Sequence, residues 1–281
     1  MTARELRATL AVLHERYDHR RFVHPDPLEF LHRYPDVRDR EVVGLVAAGL
    51  AYGRVASILN SVDRALAPLG PRPASFLRAA SAADLARATR GFRHRWTSGA
   101  ELGQLWRALQ RVLRAWPSLE GSFREGWRPE QPDLWPALEA WVVLLGRHGV
   151  GRDNSLVAWP DRGGACKRLH LYMRWMVRKD HVDPGGWTLV RPSQLLVPVD
   201  VHMHRMARAL GFTRRRQANR RTVDEITAGF RRIAPEDPVR YDFALTRLPI
   251  RDRLPPARIR LLLRQGCRLE EEIAPAPPPV T

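Results

Sequence analysis

Helical periodicity runs through nearly the whole chain, and this constrains the fold more than any other feature. Apolar residues recur at three- and four-residue spacing, the pattern of a helix face turned to a core. No alternating apolar/polar stretch exceeds four residues, so a sheet with one buried face is excluded. The spacing predicts helices over 3–16, where Leu6, Leu10 and Leu13 share a face, and over 39–67 with a break at Tyr52-Gly53. Asp39 is the expected N-cap of the latter. Further helices are expected over 84–89, 99–115, 134–147, 164–179, 201–210, 222–233 and 238–248. Gly70-Pro71-Arg72-Pro73 and Arg128-Pro129-Glu130-Gln131-Pro132 mark loops. An all-α fold follows.

The 281 residues can bury a sizeable core, with 44% of them apolar. One helical domain is expected over 1–267, formed from subdomains 1–40 plus 160–267 and 41–159, followed by a disordered acidic and Pro-rich tail over 268–281. No apolar run is long enough to span a bilayer, and the first residues lack the apolar segment of a secretory signal. The two cysteines, Cys166 and Cys267, cannot complete a four-thiolate cluster. A reduced, cytoplasmic, nucleoid-associated protein that acts as a monomer is expected, with no membrane partner.

Forty-seven Lys and Arg against thirty Asp and Glu leave a formal charge of +17. Such a field attracts polyanions, and nucleic acid is the natural partner because neutralised phosphates release counterions. An Arg-rich proteome would give the same balance without that meaning.

Two segments carry the chemistry. In Gly163-Gly164-Ala165-Cys166-Lys167-Arg168-Leu169, a glycine turn enters an amphipathic helix whose free amides suit a phosphate. Lys167 stands in its first turns as a candidate amine nucleophile, although a lysine in this position more often solvates a helix face. In Pro198-Val199-Asp200-Val201-His202-Met203-His204-Arg205, an apolar stretch ends in Asp200 at the start of the next helix. An ordinary N-cap is one reading, and a carboxylate facing a developing positive charge is the other. On a helix His202 and His204 diverge by about 200°, which argues against a metal site there. That leaves a metal-dependent hydrolase built on Asp200, His202 and His204 as a minor alternative.

The order of a glycine-rich hairpin, a lysine opening a helix, and an apolar-Pro-Val-Asp-x-His-x-x-Arg stretch resembles the helix-hairpin-helix Gly/Pro/Asp DNA glycosylase superfamily. The segments at 26–34, 44–54, 166–169, 174–178 and 241–245 look like a bacterial branch close to the archaeal 8-oxoguanine glycosylases. The resemblance implies two helical subdomains flanking a cleft. It also implies base excision with AP lyase activity on double-stranded DNA, an oxidised purine, 8-oxoguanine above all, being the damaged base. Lys167 would form a Schiff base at C1′, and Asp200 would stabilise the oxocarbenium-like sugar. Tyr52, Arg54, Phe92, Trp96, Trp175 and Asp242 are candidates for the base pocket. Gly163, Gly164, Arg168, Arg174, Arg178, His202 and Arg205 are candidates for phosphate contact. No cofactor or metal is implied, beyond a monovalent cation that the hairpin could hold. A non-catalytic nucleic-acid-binding protein that keeps the fold is the alternative. The chain departs from the superfamily in a longer hairpin, Pro160 to Gly164, and in Thr246-Arg247-Leu248-Pro249 where relatives carry an aromatic residue and glycines.

Overall fold

Twelve α-helices account for most of the described residues, which in this computed structural model are 2–255 together with 258, 259 and 261. Cys267 and the 268–281 tail expected to be disordered lie outside them. The helices are α1 (Ala3–Tyr17), α2 (Val37–Gly49), α3 (Val55–Leu66), α4 (Pro73–Ala79), α5 (Ala82–Ala88), α6 (Gly99–Ala115), α7 (Leu119–Phe123), α8 (Trp135–Arg147), α9 (Lys167–Val177), α10 (Val201–Ala209), α11 (Arg220–Arg231) and α12 (Asp242–Ile250). One two-residue hairpin, β1 (Arg93–His94) with β2 (Thr97–Ser98), is the only sheet among the described residues. Among the same residues no helix is long and apolar enough to cross a membrane.

Helix starts follow side-chain capping. Thr2 with Glu5, Ser81 with Asp84 and Ser98 with Glu101 form capping boxes at α1, α5 and α6, each satisfying amides that the first turn leaves free. Two expected starts are corrected. Asp36, not Asp39, caps α2 by accepting from the Arg38 amide at 2.8 Å. Asp39 lies one turn further on and instead accepts from the Ala74 amide, which ties α2 to α4. Helix α9 begins at Lys167 rather than at 164, because Cys166 takes a left-handed conformation (φ 44°) that stops a helix from forming upstream. Helix α4 and the short α7 were not expected; neither is long enough to show a period.

Helix α2 is central and buried nearly all round, with Val42, Val43, Val46 and Ala47 at its core. It packs on α9, α4, α7, α3 and the 3-10 turn Pro27–Arg33. Its approach to α9 is close. A β-carbon on Gly44 would lie 3.2 Å from Leu31 and 3.3 Å from the Tyr172 ring. Helix α6 buries Leu102, Leu105, Trp106 and Leu109 against α4, α5 and α8. On the other side, α12 packs on α1 and α10. Trp141 stacks on Tyr172 of α9, with ring centroids 5.7 Å apart, and Trp187 meets both rings edge-on. Large buried aromatics of this kind hold α9 in place by area and by ring geometry. The start of α9 therefore faces the ends of α10 and α12 at a fixed distance.

Candidate active site

Lys167 and Asp200 meet across a cleft. The Lys167 Nζ lies 3.7 Å from Asp200 Oδ2, and both side chains are about a quarter exposed (30% and 24%). Each is placed by a helix start. Lys167 opens α9, directly after the left-handed Cys166. Asp200 caps α10, its Oδ1 accepting from the Met203 amide at 2.8 Å. The two carboxylate oxygens are thus divided: one holds the helix end, and the other faces the amine. Asp200 is both the ordinary cap and the partner of a cation.

The cleft holds about 120 Å³ of water-accessible space. Leu171, Trp175 and Phe243 supply apolar walls, and Asp242, Thr246 and Arg247 supply polar ones. Beneath it lies an ionic network. Arg174 donates from Nε and Nη2 to both oxygens of Asp183 at 3.0 Å, and from Nη1 to Asp242. Arg178 donates to Asp237 at 2.8 Å and to Asp183, and pairs with Asp180 at 2.8 Å. Burial works against the charge on Arg174, but Asp183 and Asp242 more than offset it and hold the guanidinium protonated. Asp183 draws on both guanidiniums, whereas Asp242 shares that of Arg174 with it and is the less fully compensated. Burial consequently pushes the Asp242 carboxyl up to about 6, against the pull of Arg174, and the negative charge of Asp200 adds to the rise.

Among the expected base-pocket residues, Trp175 and Asp242 line the cleft, whereas Tyr52, Arg54, Phe92 and Trp96 do not. Phe92 is buried beside Arg64. Tyr52 and Trp96 stack on each other at 4.6 Å on the hairpin side, and Arg54 is exposed at the start of α3. Only Ala51, the residue before Tyr52, reaches the cleft from this stretch.

The phosphate candidates divide as well. Arg174 and Arg178 are corrected outright: both are buried and committed to aspartates, so neither can reach a strand. Arg168 donates to the Gly49 carbonyl at 2.6 Å and to that of Ser155, and lies over the Tyr52 ring. It is a structural clamp. Gly163 and Gly164 are exposed, and the turn they form is tied to α11, the Gly163 carbonyl accepting from the Arg220 amide at 3.0 Å. Arg205 is exposed on α10, and His202 is half-buried. The His204 Nε2 is engaged with the Arg215 carbonyl at 3.0 Å.

Several cleft residues escaped the sequence reading of the site, Leu171, Phe243 and Thr246 among them, and two of those that did are charged. Arg247 had stood only as a departure from the family pattern, yet it lies over Phe243 at 4.3 Å and pairs with Asp26 at 3.1 Å. Asp26 divides its oxygens as Asp200 does, its Oδ1 accepting from the Leu28 amide. The Asp26-Pro27 turn signal was visible, but nothing local connects it to a residue more than two hundred positions away.

Fold and site together define a mostly helical protein with a lysine–carboxylate pair at the mouth of a cleft, backed by a buried arginine–aspartate network. The chain belongs to the family described as "Protein of unknown function (DUF2400)", which it matches over residues 26–251. No curated protein and no solved structure matches it.

Proposed function

We propose that this protein is a DNA glycosylase with AP lyase activity, of helix-hairpin-helix type, acting on an oxidised purine with 8-oxoguanine favoured. The observation that carries the reading is the 3.7 Å approach of Lys167 Nζ to Asp200 Oδ2 at an open cleft. A nucleotide swung out of a duplex needs such a concave site with an apolar wall and a few polar groups. Leu171, Trp175 and Phe243 give the wall, and Asp242 and Thr246 give groups for a base edge. The exposed glycine turn runs into the start of α9, which has no side-chain cap, and this is where a strand would pass.

In the chemistry, the glycosidic bond breaks and its electron pair leaves with the base, which gains a proton. The Asp200 carboxylate stabilises the positive charge that develops on the sugar. The Lys167 ammonium first gives up a proton, to the departing base or to solvent, then forms a bond to C1′ as the amine and loses a second proton to solvent. Opening of the sugar then gives the C1′ iminium and a free C4′ hydroxyl. Loss of a C2′ proton expels the 3′ phosphate and cuts the strand. Water finally releases the lysine. The net positive charge of +17 suits the polyanionic substrate.

Borohydride trapping on a duplex bearing 8-oxoguanine tests this. The expected result is a covalent protein–DNA species that Lys167→Gln abolishes. Trapping that survives Lys167→Gln would move the nucleophile elsewhere. Salt-dependent DNA binding with neither trapping nor product would leave a non-catalytic binding protein.

A further inference from the structure

Outside the cleft, the hairpin presents a second site. Trp96, at the two-residue turn between β1 and β2, is 63% exposed, the most exposed large apolar side chain among the described residues. A single exposed apolar side chain is ordinary, and what sets this one apart is how it is held. It is not loose. One face stacks on Tyr52 at 4.6 Å with planes 17° apart, and the Arg168 guanidinium lies over Tyr52 at 5.2 Å. The Tyr52 hydroxyl donates to the His94 carbonyl at 3.0 Å and is hydrogen-bonded to Thr97, which pins the ring to both strands. The His94 ring in turn is held between Ser61 and the Tyr52 carbonyl. Arg168, Tyr52 and Trp96 therefore form a fixed column whose last member faces solvent.

The rim is cationic. Arg93 and Arg95 stand beside Trp96 in the hairpin and Arg54 follows Tyr52 by two residues; all three are exposed, and no ion pair to an acidic side chain is formed by them among the described residues. Arg95 holds a left-handed backbone (φ 52°), and its guanidinium lies over the Trp96 ring at 5.1 Å, so that an incoming base stacks on the guanidinium plane or takes its place on the ring. A non-glycine residue in that region is uncommon and carries a cost. Gly53 makes room for it, since a β-carbon there would lie 2.9 Å from Arg95 Cδ.

We infer that the Arg168–Tyr52–Trp96 column is a stacking platform for an unpaired DNA base, with Arg54, Arg93 and Arg95 neutralising the phosphates on either side of it. A rigid aromatic face with unpaired cations around it is what an unstacked base on a charged backbone requires. A protein partner of matching shape would need acidic residues and would not need a flat, exposed ring topped by a guanidinium. The platform adjoins the cleft: Ala51 lines the cleft, Tyr52 follows it, and Arg168 follows Lys167. One strand region could engage both. This rests on the nucleic-acid reading above and extends it to structures with a base already out of the stack.

The test compares two duplexes, one fully paired and one with a single bulged thymine, titrated against the full-length protein over a salt series. The wild-type protein should bind the bulged duplex about tenfold more tightly, the size of one base–aromatic stack. Trp96→Ala should bring the two affinities together with the salt slope unchanged, and Trp96→Phe should keep most of the preference. Arg95→Ala should lower the salt slope by about one on both duplexes. Equal wild-type affinities, or a preference that survives Trp96→Ala, would overturn the proposal. Trapping read on the same preparations separates the two sites. Trapping without any Trp96-dependent preference removes the platform alone. A Trp96-dependent preference without trapping removes the cleft chemistry and leaves the platform.

Discussion

Asp200 turns Oδ2 toward Lys167 at 3.7 Å while its Oδ1 holds the first turn of α10, so one carboxylate couples a helix end to the site. The two duties separate by substitution. Asn caps about as well as Asp, whereas Ala does not. Asp200→Asn should therefore unfold within about 0.5 kcal/mol of wild type, and Asp200→Ala about 1 kcal/mol earlier. Both should lose the trapped species to a similar degree. Urea melts and trapping rates measure the two effects. A large stability loss in Asp200→Asn would mean that the Lys167 contact matters more to folding than the cap.

Arg174 bridges Asp183 and Asp242 with all three groups buried. Removing it strands Asp242 in the interior and leaves Asp183 to Arg178 alone. Arg174→Met should destabilise by about 3–5 kcal/mol, as for other buried pairs broken on one side. Arg174→Lys should recover only part of this, because an ammonium cannot match both oxygens of Asp183 while reaching Asp242. Denaturant unfolding of the two variants decides it, and near-wild-type stability of Arg174→Met would contradict the accounting.

Glu41 offers a pH dependence. It is fully buried on α2, where it accepts from the Leu119 and Glu120 amides and the Trp187 indole. Burial pushes its carboxyl up to about 7 despite those donors. In the unfolded chain the group titrates near 4.5. Between these values the folded state binds more protons than the unfolded one, so stability falls as pH rises. The fall attributable to this group is about 3 kcal/mol from pH 4.5 to 7. Urea midpoints across that range should decline in the wild type and decline less in Glu41→Gln. Parallel profiles would assign the dependence to other groups.

Gly99 begins α6 directly after the hairpin, and a β-carbon there would lie 2.3 Å from the Thr89 carbonyl oxygen. Backbone cannot yield as a side chain can. Gly99→Ala should cost about 1–3 kcal/mol through strain of this kind. It should also shift the hairpin that presents Trp96. Thermal melts and the bulge preference read the two consequences, and an unchanged melting temperature would show that the approach is looser.

Helix positions were largely legible because the apolar spacing is local. Helices α6, α8 and α10 fall within a residue or two of their expected bounds, and their faces bury as the spacing requires. The start of α9 was not legible, since the left-handed Cys166 is set by the turn beneath it and by the tie from Gly163 to Arg220. Lys167 and Asp200 stood out because each follows a turn signal and opens a helix. Arg174 and Arg178 misled for a physical reason. A helical arginine looks the same in sequence whether it faces water or a buried aspartate far along the chain, and Asp183, Asp237 and Asp242 come from other segments. Trp96 misled in the opposite sense, as an aromatic expected to face a pocket that instead faces solvent.

Residue order alone determined that this chain is helical, strongly basic and marked by an amine and an acid at two helix starts. Those properties depend on neighbours within a few positions and on total charge. Which side chains share the cleft, which arginines are neutralised beneath it and which aromatic is left open were decided only by the tertiary structure. Those outcomes depend on contacts between α2, α9, α10, α12 and the hairpin, which no local pattern encodes.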